Sequence, residues 1–153
     1  MYSTLLVIHS LLRWLVLLAA VLALFRAISG WMGRGQWTPA DDRVGRQFTM
    51  VFDIQFLVGL LLYVAFSPLT QAAFQDFGAA MRDAALRFWA VEHIFGMTAA
   101  LVLAHIGRAR SRRMKDPTAR HRTAAIFFGL SLLIMLATIP WPFMSNGRPL
   151  LRW

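Results

Sequence analysis

The residues of this chain whose types can do chemistry stand inside long apolar stretches: His9, Arg13, Asp53, Gln55, Glu92, His93 and His105. An ionisable side chain at the centre of a bilayer costs on the order of 2.5–3.5 kcal/mol even on lenient insertion scales. Groups retained there mark a binding, redox or proton-handling site, or a polar contact between helices. Imidazole is the versatile member of the set, serving as metal ligand and as acid or base near neutral pH. The chain has no cysteine, which excludes disulfides, thiolate metal sites and iron–sulfur clusters ligated by this chain. It contains no glycine-rich phosphate loop, no HExxH and no acidic metal cluster.

His9 and His93 fall at matching depth. His9 lies roughly four residues in from Leu5 and His93 roughly five in from Phe88, about 6–8 Å along each helix. If the two segments run in the same direction, both imidazoles lie at one level on different helices. There they can ligate one metal from opposite faces, the arrangement of a bis-histidine haem in a helical bundle. Gly96 and Ala100 follow His93 at helical spacing and leave room for a flat macrocycle, with Met97 lining the same region. The same small residues, continued by Ala104, also read as a helix-packing seam that needs no cofactor. A copper site from His93 and Met97 is chemically reasonable, but methionine is common in this chain and the coincidence is cheap. Arg13, one turn below His9 on the same face, leans back toward the histidine level. It needs an anion there, either a haem propionate or Glu92.

A second polar group is expected nearer the other end of the spans, where Asp53 and Gln55 reach a depth similar to His105. A carboxylate beside an imidazole fixes its tautomer and tunes its basicity, which suits a quinone or proton site. A polar contact joining two helices is the plainer alternative. His105 comes twelve residues after His93, about 18 Å along the helix and roughly 120° around it, so the two cannot share one iron. His121 lies between Arg120 and Arg122 in a basic loop and reads as solvated.

The elements that must position these groups are legible from composition. The hydrophobic fraction of the 153 residues is 58%, the charged fraction is 15% and mean hydropathy is +0.56, far from an ordinary soluble domain. Four apolar stretches, 5–28, 48–66, 88–106 and 124–139, approach the roughly 20 residues that a spanning helix needs. Residues 1–153 therefore read as a single domain, an all-α integral membrane up-and-down four-helix bundle in a lipid bilayer. The first span lacks the basic n-region of a secretory signal and is interrupted by Arg13, so it reads as retained.

The formal charge of +9 is concentrated in two connections. Residues 29–47 hold Arg34, Arg43 and Arg46, and residues 107–123 hold Arg108, Arg110, Arg112, Arg113, Lys115, Arg120 and Arg122. The positive-inside rule makes both cytoplasmic and puts the N and C termini outside the cytoplasm. The same rule accounts for the basic loops without nucleic acid. Between spans two and three, residues 67–87 suit a short interfacial helix. The tail from Pro140, with Pro142, Pro149, Trp141, Phe143, Arg148, Arg152 and Trp153, suits the outer headgroup layer. Trp89, Trp141 and Trp153 are expected at the outer boundary and Trp31 and Trp37 at the inner one.

Three segments, LLVIHSLLRWLVL at Leu5–Leu17, ALRFWAVEHIFGM at Ala85–Met97 and IPWPF at Ile139–Phe143, resemble small bacterial four-helix membrane proteins described as cytochrome b-like. The likeness runs along nearly the whole chain. The resemblance implies one haem b between His9 and His93. It leads to the expectation of electron transfer between a membrane quinol and a partner, with quinone chemistry near Asp53, Gln55 and His105. The alternative class is a non-catalytic accessory subunit of a larger respiratory or photosynthetic membrane complex, or a homo-oligomer, whose histidines bind another pigment or only make hydrogen bonds.

Overall fold

The computed structural model describes residues 1–151; Arg152 and Trp153 of the expected tail lie outside the described residues. The first helix, α1, spans Tyr2–Met32. After a short turn, α2 spans Pro39–Leu61 and continues into a π-helical turn, Leu62–Phe66. Three short helices follow, α3 (Pro68–Gln75), α4 (Phe77–Ala80) and α5 (Ala84–Arg87), where a single interfacial helix was expected. A second π-helical turn, Phe88–Glu92, leads into α6 (His93–Arg113), and α7 spans Pro117–Thr138. Among the described residues there is no strand.

The helices overrun their apolar stretches because polar residues cap them beyond the apolar boundary. Pro39 opens α2 behind Thr38, whose backbone N–H and hydroxyl both donate to the Asp41 carboxylate, which ties down the helix start. Arg26 of α1, unremarked in the sequence, reaches the same carboxylate at 2.9 Å and ties α1 to the start of α2. Asp116 accepts from Ala119 N ahead of Pro117 and starts α7 in the same way. At the far end, Pro140 pushes Ile139 into an extended conformation and stops α7 at Thr138.

Helix α1 packs against α2 and α7, and α6 packs against α7 and α2, so α1 and α6 face each other across the bundle diagonal. The interior is made of small residues and a few rings. Ala20, Ala23 and Ala27 of α1, Ala100 and Ala104 of α6 and Ala124 of α7 are buried around Phe48, Phe52, Phe128 and Met135. Phe48 meets Phe128 edge-on with ring centres 5.4 Å apart. Large apolar side chains such as Leu18, Phe25, Leu57, Val64, Phe95 and Leu133 are instead exposed. Small residues inside and large apolar ones outside are what helices packed in lipid require, since lipid already solvates leucine and only close backbone approach is gained inside. Among the described residues four helices are long and apolar enough to cross a membrane, and the chain is a membrane-embedded helical bundle.

The α6–α7 contact is the seam that the small residues suggested. The Cα of Gly96 faces Thr138, Ser131 Oγ donates to the Ala100 carbonyl at 2.7 Å, and Gly107 lies under Phe127. His121 corrects an expectation. Instead of being solvated it is 2% exposed, with its imidazole flat on Gly30 and 4.8 Å from the Trp37 ring. Because α7 begins at Pro117, His121 already belongs to a spanning helix and looks inward. Its neighbour Arg120 lies over Trp37 at 4.5 Å and reaches the Asp42 carboxylate at 3.6 Å.

Candidate functional site

A cavity of about 140 Å³ opens within the end of the bundle that carries the termini, several times the roughly 30 Å³ share of one liquid water. His9, Ser10 and Arg13 of α1, Phe52, Gln55 and Gly59 of α2, and His93 and Met97 of α6 line it. Tyr63 and Trp89 from the two π-helical turns, with Arg148 and Pro149 from the tail, complete the wall around its end.

The two histidines meet there across the diagonal. Their ring centres are 6.5 Å apart and their planes are inclined at 74°. Two imidazoles on opposite sides of one metal require roughly 6 Å between ring centres, from about 2 Å of metal–nitrogen bond on each side plus the radius of each ring. His93 Nδ1 lies 2.8 Å from the Thr138 carbonyl. A carbonyl only accepts, so Nδ1 carries the proton and Nε2 presents its lone pair, the usual state of an oriented metal ligand. His9 has one nitrogen engaged, with Nε2 3.4 Å from Gln55 Nε2, while Gln55 also donates to the His9 carbonyl at 3.0 Å. Its other nitrogen, Nδ1, is buried with no hydrogen-bond partner among the described residues. The ring rests on Gly59, where a Cβ would come within 2.8 Å of His9 Cε1.

The π-helical turns widen the helices beside this cavity, and each frees backbone carbonyls that lipid cannot satisfy. Side chains do so instead. Tyr63 Oη donates to the Ala90 carbonyl at 2.6 Å, Thr70 Oγ1 to the Tyr63 carbonyl at 2.7 Å and Gln71 Nε2 to the Ala65 carbonyl at 3.0 Å. Trp89 is thereby held with its ring centre 5.7 Å from that of His93.

Several expected partnerships differ. Arg13 does not pair with Glu92. It donates to the Leu150 carbonyl at 2.5 Å and the Pro149 carbonyl at 3.4 Å, while Glu92 binds Arg87 at 2.7 Å. Trp14 Nε1 also donates to Leu150 at 2.9 Å, so α1 holds the tail over the cavity. Gly96 is not on the cavity wall, because its missing side chain is used to admit Thr138. Met97 is on the wall, as expected. Gln55 does not join Asp53 and His105: residues two apart on a helix point about 200° apart, and only Gln55 faces the cavity. Asp53 and His105 do meet, His105 Nε2 lying 2.8 Å from Asp53 Oδ1. Their side chains are 42% and 46% exposed, on the bundle surface where α2 meets α6.

Gly59, Tyr63 and Thr138 were not singled out from the sequence, and Trp89 and Arg148 were expected only at the outer boundary and in the tail. Gly59 carried a weak signal, four residues after Gln55 and so on the same face of α2. Arg148 carried none, since only the folded tail brings it to the cavity, with its amide donating to the Pro140 carbonyl at 3.0 Å and its guanidinium 4.7 Å from the Trp89 ring.

Among the described residues no group of three or more His, Cys, Asp or Glu gathers to enclose a metal ion. His9 and His93 both line the cavity with their ring centres 6.5 Å apart; two imidazole donors alone would leave a metal's other positions to be filled from outside the chain. Comparison of the chain with protein families, with curated proteins and with solved structures finds no match.

Proposed function

We propose that this protein is a membrane b-type cytochrome that holds one haem b between His9 and His93 and carries electrons between a membrane quinol and a partner. The observation that supports this reading is the pair of imidazoles 6.5 Å apart across the bundle diagonal, one of them fixed in its ligating tautomer by Thr138. When bound, haem supplies one-electron redox chemistry. His9 and His93 would hold it, with Thr138 and Gln55 orienting the two rings. Phe52, Met97 and Met135 give the cavity an apolar wall, which disfavours net charge on the cofactor and so bears on its potential. Arg13 and Arg148 line the same cavity and suit the two propionates. The positive charge of the two basic connections supports a cytoplasmic location for the opposite end of the bundle, which would put the haem near the outer face of a bacterial inner membrane with both termini outside.

An absorption spectrum of the full chain, purified in detergent after expression with ample haem supply, tests this. The expected result is a Soret band that shifts on dithionite reduction and is lost in His9→Ala and in His93→Ala. Colourless protein overturns the reading. Colourless protein that co-purifies stoichiometrically with a large membrane complex supports the accessory-subunit role instead, and magnesium-tetrapyrrole absorption supports pigment binding.

A further inference from the structure

At the end of the bundle opposite the cavity, α2, α6 and α7 gather more positive charge than the chain itself neutralises. Arg112 of α6 and Arg120 of α7 approach one carboxylate, that of Asp42 on α2, at 3.9 and 3.6 Å. Both distances exceed a hydrogen bond, so neither guanidinium closes on it. The adjacent carboxylate, Asp41, is already taken by Arg26 and Thr38. Arg108, one turn before Arg112, lines a small gap together with Asp42, Trp37 and Ser111. Arg108 Nε, Arg120 Nε and Trp37 Nε1 are buried without a hydrogen-bond partner among the described residues. A guanidinium stays charged and an indole N–H only donates. Three guanidinium groups and an indole thus share one carboxylate, and the cluster lacks an anion that accepts.

We infer that this cluster binds the phosphate of an anionic phospholipid, an inference independent of the haem assignment. Guanidinium groups suit phosphate because their planar fork meets two of its oxygens. The gap, about 10 Å³, has room for one oxygen atom at most, so a phosphate sits at its mouth with the rest of the ligand outside the protein. The surroundings select a lipid as the source of that phosphate. Toward the middle of the bundle, the line from Asp42 along α2 is flanked by Met50 and Ile54, and the line from Arg112 along α6 by Ile106 and Val102. All four are exposed apolar side chains and offer acyl chains a surface at membrane depth. Trp37 is suited to the headgroup level, where an amphipathic ring prefers to lie. A zwitterionic lipid carries an ammonium group that these arginines repel. An anionic one brings the net charge that the cluster lacks.

Native mass spectrometry of the full chain, delipidated in detergent and titrated with phosphatidylglycerol, phosphatidylcholine or inorganic phosphate, tests this. One phosphatidylglycerol is expected to bind about tenfold or more tightly than phosphatidylcholine, and to stay bound in millimolar phosphate. An arginine near an anionic membrane surface is worth about fivefold in affinity. Arg112→Gln, at a side chain more than half exposed, should therefore weaken phosphatidylglycerol binding by about that factor. Arg112→Gln combined with Arg120→Gln should weaken it by about 25-fold. Arg110→Gln combined with Arg122→Gln removes the same charge from the same basic stretch. Each of these lies two residues from a site arginine and so points about 200° away from it, and this pair should leave the affinity unchanged. Circular dichroism and a monodisperse elution profile confirm that each variant is folded. Equal binding of the two lipids, or equal affinity in the two double variants, would mean only diffuse attraction to a basic stretch and overturns the proposal. Displacement of the lipid by inorganic phosphate would point to a soluble phosphate compound and overturns it as well.

Discussion

His93 Nδ1 is bound to the main-chain carbonyl of Thr138 at 2.8 Å, and Thr138 reaches that position because residue 96, one turn along α6 from His93, has no side chain. A Cβ on Gly96 would lie 2.2 Å from Thr138 Cγ2. The glycine thus acts on the candidate site through α7, with no contact to the cavity.

Gly96→Ala is accordingly expected to destabilise the bundle by about 1–3 kcal/mol, the usual cost of overpacking. It should also release His93 from its fixed tautomer. Thermal unfolding in detergent reads the first effect and the haem spectrum the second. Thr138→Ser, which removes Cγ2 while leaving the carbonyl, should partly rescue both, and the double mutant tests whether the two residues are coupled.

Gly59 supports His9 in a parallel way, since a side chain there meets the imidazole at 2.8 Å. In Gly59→Val the ring must swing away from the centre of the cavity. Six-coordinate low-spin haem is expected to become five-coordinate and high-spin, visible in the optical and electron paramagnetic resonance spectra. An unchanged low-spin spectrum would remove His9 from the ligand set.

Arg148 lines the cavity with its guanidinium stacked over Trp89 at 4.7 Å. Arg148→Gln should weaken haemin binding by roughly tenfold, as expected for one charge-assisted hydrogen bond. The affinity for haemin dimethyl ester, which has no carboxylate to pair, should hardly change. Titration of the apoprotein with both compounds checks this difference.

The opposite end of the bundle carries a buried imidazole whose two nitrogens have no hydrogen-bond partner among the described residues. His121→Leu is expected to be neutral or mildly stabilising, because it removes buried polar atoms that gain nothing in return. Gly30→Ala should instead cost about 1–3 kcal/mol, since its Cβ would fall 2.2 Å from the His121 ring. Opposite signs from two neighbouring positions, read by denaturant unfolding in micelles, identify packing against glycine as the stabilising contact.

Ser131 Oγ donates to the Ala100 carbonyl at 2.7 Å inside the α6–α7 seam. Ser131→Ala should lower stability by only about 0.6 kcal/mol, the average for interhelical hydrogen bonds in membrane bundles. A loss several times larger would mean that the seam's stability lies in polar contacts and not in the close approach of Gly96, Ala100 and Gly107.

The sequence by itself determined the four spanning helices, the all-α bundle and the matching depth of His9 and His93. Those properties depend on continuous apolar length and on distance along parallel axes, both of which are linear in residue number. It also determined that Asp53 and His105 lie at one depth. Depth says nothing about which way a side chain faces, and that was decided by the rotation of each helix in its packed position. Rotation turned Gln55 inward to His9 and Asp53 outward to the surface, assigned Gly96 to Thr138, and buried His121 against Gly30. The tail was beyond linear reasoning altogether. Its path over the cavity is set by Arg13 and Trp14 holding the Leu150 carbonyl, a contact between residues some 136 positions apart in the chain that no local pattern encodes. What the tertiary structure added is therefore orientation: it split the expected group of Asp53, Gln55 and His105 into Gln55 on the cavity wall and a pair on the bundle surface.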